Sequence, residues 1–129
     1  MIHGIGVDIV EIPRVQESLD KHGLRFARRI LSDSEILQFE SKTPQTQASF
    51  LAKRFAAKEA FVKALGTGFV DGISLTHISV VKDELGKPSL EYCKKAAEKV
   101  ESLHVGQCFL SLADERRYAV AQVLLMKKQ

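Results

Sequence analysis

With 129 residues, 45% of them hydrophobic and 27% charged, the chain is long enough for one core and too short for two ordinary domains, so one domain over residues 1–129 is expected. No segment approaches the roughly 20 apolar residues of a membrane span, and the start, Met1 to Asp8, has neither a basic leader nor a cleavable apolar core, so a cytoplasmic protein is expected. A formal charge of +3, no tryptophan and no nucleic-acid motif leave little for a nucleic-acid-binding module to rest on.

Ile5, Val7 and Ile9 alternate with Gly6, Asp8 and Val10, the period of a half-buried strand with one apolar face and one carrying Gly4, Gly6 and Asp8. Pro13 in a first turn and Gly23 as a cap predict a short helix from Pro13 to His22. Ser32 and Glu35 have capping-box spacing, so a helix is expected from Asp33 to the break at Thr43-Pro44. A longer one follows from Gln45 to Leu65, stopped by Gly66 and Gly68. A strand at Ile78 to Val81, the turn Asp83 to Pro88, and a helix from Glu91 to Leu103 come next. Phe109 to Ala113 and Tyr118 to Met126 read as a hairpin around Asp114 to Arg117. This order fits an α+β domain with a small antiparallel sheet packed against a long helix.

Cys93 and Cys108 stand singly, implying neither a disulfide framework nor a zinc site. The four histidines and Ser111 form no recognisable triad, and Gly4-Ile5-Gly6 lacks the third glycine of a dinucleotide fingerprint. The charge distribution says more: between Arg14 and Arg29 five basic residues face two acidic ones, an excess equal to that of the whole chain. Such a local basic face suits an acidic partner.

On the long helix, Phe50, Leu51, Phe55, Ala57, Phe61, Val62 and Leu65 fall on one half of the circumference, and Arg54 and Lys58 fall inside that half. Charges there are expensive unless they meet an anion, a second chain, or solvent along their stems. Glu59 and Lys63 share a face four residues apart. They form either a surface ion pair of about 0.3–0.5 kcal/mol or a carboxylate for a divalent cation beside a lysine for its phosphate. Asp8 is either a turn acceptor or the second carboxylate of that site, and spacing does not choose.

Taken together, Gly4-Ile-Gly-Val-Asp8-Ile-Val-Glu-Ile12, Arg54-Phe-Ala-Ala-Lys58-Glu59-Ala-Phe-Val-Lys63-Ala, Gly66-Thr-Gly68, Gly86-Lys-Pro88 and Leu110 to Ala121 resemble the holo-acyl-carrier-protein synthase group of 4′-phosphopantetheinyl transferases over nearly the whole chain. The resemblance implies the fold of that family and a role in fatty acid biosynthesis. In the implied reaction a serine of apo acyl carrier protein attacks the β-phosphorus of coenzyme A, and adenosine 3′,5′-bisphosphate leaves. It makes Asp8 and Glu59 ligands of Mg2+, places Lys63 at the pyrophosphate, and sets Arg54 and Gly86-Lys87-Pro88 at the 3′-phosphorylated adenosine end. It also implies a homotrimer with active sites between subunits, and a carrier-docking surface including Arg14, Lys21, Arg25 and Phe26. Glu59, a metal-bound water, and Asp33 or Glu35 through water are the candidate bases. Many relatives carry histidine where this chain has Asp114, so Asp114 receives no catalytic role. A magnesium-dependent hydrolase of nucleotide diphosphates would use the same carboxylates and lysine without a protein acceptor.

Overall fold

The computed structural model describes all residues, Met1–Gln129. Strand β1 (Ile2–Glu11) leads into three short helices, α1 (Ile12–His22), α2 (Leu24–Ile30) and α3 (Asp33–Glu40), and then into the long α4 (Pro44–Leu65). A hairpin of β2 (Ile78–Lys82) and β3 (Pro88–Tyr92) precedes α5 (Lys94–Ser102), and β4 (Val105–Asp114) and β5 (Tyr118–Lys127) close the chain. The strands form two antiparallel sheets, one ordered β1-β5-β4 and one of β2 and β3 alone. This is the expected α+β arrangement of a small antiparallel sheet on a long helix. No helix is long and apolar enough to cross a membrane.

Helix α4 starts with Pro44 in its first turn and ends on Gly66 in the left-handed region, at φ 86°. Ala56, Ala57, Ala60 and Ala64 line its buried side, and their small side chains let the large sheet approach. Leu110, Ala121, Val123 and Leu125 cover them, while Ala27, Ile30, Leu31, Phe39 and Phe50 fill a second cluster under α1 to α3.

Three local expectations are corrected. The apolar face of β1 is the outer one: Ile5, Val7 and Ile9 are 60%, 58% and 63% exposed, and the glycine face packs on α4. Alternation located the two faces, but backbone proximity rather than hydrophobicity decided which turned inward. Helix α2 was not expected, because its seven residues carry three arginines and too few positions to show a period. The expected helix at Glu91 begins only at Lys94, since Pro88–Tyr92 pair with β2, with Pro88 at the first position where a strand tolerates it.

Candidate active site

Strand β1 and helix α4 together build the centre of the site. Gly4 and Gly6 have no Cβ, so the strand runs directly over the carbonyls of Ala64 and Ala60. Asp8, two residues further along the same face, therefore arrives beside the Glu59 and Lys63 turn of the helix. Lys63 Nζ donates to Asp8 Oδ1 at 2.9 Å and to the Val7 carbonyl at 3.1 Å. Burial pushes the Glu59 carboxyl above the usual range, the charge of Asp8 adds to that, and Lys63 partly opposes it. The i, i+4 pairing is thus not simply an ion pair between Glu59 and Lys63, since the lysine's hydrogen bonds go to β1.

The carboxylates of Asp8 and Glu59, the latter held up first by burial and then by the charge of Asp8, form a donor set that a divalent cation would relieve. No group of three or more His, Cys, Asp or Glu side chains gathers anywhere in the chain. Asp8 and Glu59 are the two carboxylates that could hold a divalent cation here; magnesium is one that binds through one or two carboxylates and fills its shell with waters and substrate phosphates.

Asp8 and Glu59 border a cavity of about 440 Å³ whose other walls include Glu11, Arg14, Phe26, Ile30, Phe55 and Tyr118. It is therefore acidic at one end, apolar along its wall and basic at the α1 rim. Phe26 also belongs to a small neighbouring recess with His22, Arg25 and Arg29. Lys21 is solvent-exposed on α1, 3.8 Å from Glu17. The structure thus brings Asp8, Glu59, Lys63, Arg14 and Phe26 together, with Arg25 next to them.

Arg54 and the Gly86-Lys87-Pro88 turn do not border that cavity. Arg54 and Glu59 are five residues apart on α4 and so point about 140° away from one another. Arg54 is buried, its guanidinium carbon 3.7 Å from the centre of the Phe50 ring, and its Nε has no hydrogen-bond partner. The hairpin turn is held from within. Asp83 accepts from the N–H groups of Leu85 and Lys87 at 2.9 and 2.8 Å, and Gly86 takes the positive φ the turn requires.

Lys58 corrects the expectation that both helix charges face a bound anion, a second chain or solvent, because the anion it meets is the chain's own Glu35. It is fully buried and donates to Glu35 Oε1 at 2.5 Å and to the Ile30 carbonyl at 2.6 Å. Glu35 is thereby removed from the candidate bases, being 1% exposed with both oxygens engaged. Asp33 lines a different cavity, with Arg28, Cys93 and Lys94.

Sequence reasoning missed a cationic group around Arg54. Lys82 lies near enough to Arg54, Lys53 and Lys42 that, after burial, these three charges push its ammonium down, against a smaller pull from Asp114. Asp114 itself is 3.6 Å from Lys53. Nothing in the spacing of Lys42, Lys53 and Arg54 announces that Lys82 at the end of β2 meets them.

The family model of the 4′-phosphopantetheinyl transferase superfamily matches residues 4–123. A holo-[acyl-carrier-protein] synthase of Halorhodospira halophila is 52% identical over 126 residues, 98% of each chain. The crystal structure of the synthase from Neisseria meningitidis superposes with a TM-score of 0.92 at 40% identity, over 98% of this chain and 100% of that one. A Bacillus anthracis synthase in complex with CoA (3′,5′-ADP) superposes at 0.83 with 37% identity, over 99% of both. On these matches, which run nearly end to end, the chain belongs to the 4′-phosphopantetheinyl transferase superfamily.

Proposed function

We propose that the protein is a holo-acyl-carrier-protein synthase: it transfers 4′-phosphopantetheine from coenzyme A to a serine of apo acyl carrier protein and releases adenosine 3′,5′-bisphosphate. The observation that carries this is the meeting of Asp8, Glu59 and Lys63 at one end of a cavity, in a chain related over its full length to such synthases.

Asp8 and Glu59 would hold magnesium, which when bound supplies Lewis acidity to the pyrophosphate and offsets its charge. Lys63 is a fixed cation at the same point, and in phosphoryl transfer such positioned charge supplies most of the catalysis. Its 2.9 Å contact with Asp8 keeps the ammonium aimed at the site before substrate arrives. Phe26, Ile30 and Phe55 on the cavity wall exclude water from the reacting phosphorus. Among the carboxylates considered as bases, Glu59 alone borders the cavity, which makes it the one placed to take the serine proton at a carboxylate oxygen not engaged with the metal. Arg14, Lys21, Arg25 and Phe26 on α1 and α2 receive the acidic carrier and steer its approach.

Arg54, joined by Lys42 and Lys82, and the Gly86-Lys87-Pro88 turn hold the phosphorylated adenosine end of coenzyme A. The buried guanidinium with an unpartnered Nε inside a cationic group supports this reading. Because one chain keeps these residues apart from Asp8, each site is completed by a neighbouring subunit of a homotrimer. The exposed Ile5, Val7, Ile9 and Phe109 on the outer sheet face are the surface that such assembly would cover.

The test is to incubate the protein with coenzyme A, magnesium and apo acyl carrier protein and to weigh the carrier by mass spectrometry. A magnesium-dependent gain of about 340 Da, the formula weight of the transferred group in a phosphoryl transfer, is expected. Consumption of coenzyme A without carrier, and no gain with it, would instead make the protein a hydrolase.

A further inference from the structure

Glu35 is buried where α3, α4 and β2 meet. Its Oε1 accepts from Lys58 Nζ of α4 and from the Ser32 N–H at 2.9 Å. Its Oε2 accepts from the Val80 N–H of β2 at 2.8 Å and lies 3.9 Å from Arg54 Nε. One carboxylate thus faces two buried cations, so one positive charge is left over, and it lies on the side of Arg54.

The bond to Val80 matters because of where β2 sits. The β2-β3 hairpin is not part of the larger sheet, and a two-stranded hairpin alone is marginal in water. Val80 is two residues from Lys82, at the root of the arm that ends in Gly86-Lys87-Pro88. A side chain that grips this backbone and also lies against Arg54 fixes the distance between the arm and the guanidinium.

We propose that Glu35 is a positioning residue of the coenzyme site, setting Arg54 and the Lys82 to Pro88 arm at the separation that accepts a phosphate dianion. The inference rests on the reading that Arg54 and this arm hold the 3′-phosphorylated end of coenzyme A. A purely structural Glu35 would leave the enzyme equally impaired toward any coenzyme. A positioning Glu35 acts on the one that carries the 3′-phosphate.

The experiment compares coenzyme A with 3′-dephospho-coenzyme A in three variants, with thermal unfolding as a check of folding. Glu35→Leu/Lys58→Met removes the pair together, so that Lys58 is not stranded and the buried net charge stays at one, carried by Arg54 alone. Glu35→Gln/Lys58→Met keeps a carbonyl that can accept from Val80 N–H, and Arg54→Gln tests the underlying reading. For Glu35→Leu/Lys58→Met, KM for coenzyme A should rise about tenfold, the worth of one charge-assisted hydrogen bond, with kcat and KM for the carrier within about threefold. The preference for coenzyme A over its dephospho form should shrink by the same factor, and the glutamine version should restore most of it. A folded Glu35→Leu/Lys58→Met enzyme that keeps its preference, or that loses equally on both coenzymes, would overturn the proposal. If Arg54→Gln abolishes the preference while the double variant keeps it, Glu35 alone is misassigned; if Arg54→Gln keeps it too, the reading of Arg54 falls. Should the leucine variant not fold, hydrogen exchange on the unaltered protein decides. Coenzyme A, and not its dephospho form, should slow exchange of the Val80 amide, and an equal effect of both would overturn the proposal.

Discussion

A Cβ placed on Gly6 would lie 2.0 Å from the carbonyl oxygen of Ala60, so strand β1 and helix α4 touch through their backbones. That contact fixes the height of Asp8 against Glu59 and Lys63, and with it the geometry of the site.

Gly6→Ala should therefore force β1 off the helix. The obstacle is backbone, which cannot rotate away, and overpacking of this kind costs about 1–3 kcal/mol or more. Urea unfolding should show the loss, and any folded remainder should bind magnesium poorly because Asp8 has moved.

Asp8→Asn and Glu59→Gln should each lower kcat by about 100-fold or more, as expected when charge stabilisation of a transition state is removed. Glu59→Gln should leave stability at neutral pH unchanged or slightly raised. The folded state holds this carboxyl above its ordinary pKa, so above the unfolded pKa the folded protein binds the proton more strongly and its stability declines as pH rises. Neutralising the side chain removes that decline. Chelation of metal should abolish turnover of the parent enzyme and leave its melting temperature nearly unchanged.

Arg14→Ala and Arg25→Ala should raise KM for the carrier by about tenfold while leaving KM for coenzyme A within about twofold, the pattern of a rim that steers one protein partner. The carrier effect should weaken with added salt.

Lys82, whose ammonium is held down by burial and by Arg54, Lys53 and Lys42, should lose its charge at a lower pH than an ordinary lysine. A neutral Lys82 attracts phosphate less, so KM for coenzyme A should climb as pH rises into the alkaline range. Lys82→Arg stays charged there, and its KM profile should be flatter over the same range.

Val7→Lys places a charge on the exposed outer face of β1. On the proposed reading, in which a neighbouring subunit completes the coenzyme site, analytical ultracentrifugation should show monomers in place of trimers, with activity falling in parallel.

Chain order, the α+β class, the capping-box residues and the long helix were legible in the sequence because propensity, caps and period are local. The candidate residues Asp8, Glu59 and Lys63 were legible too, as charged types at telling positions and through the resemblance to a family. Helix α2 and strand β3 were not, since seven residues show no period and a short strand is defined by its partner. Nor could spacing tell that Lys63 bonds to β1 and not to Glu59, or that Glu35, read as a helix cap, also neutralises Lys58 from the interior. The orientation of β1 was likewise decided by tertiary contact. Gly4 and Gly6 permit a backbone approach that brings Asp8 to the helix, and the apolar residues between them are left outside. Local chemistry thus named the residues that can act, while long-range packing chose which of them meet, because a contact between residues some 50 positions apart depends on the fold and not on their spacing.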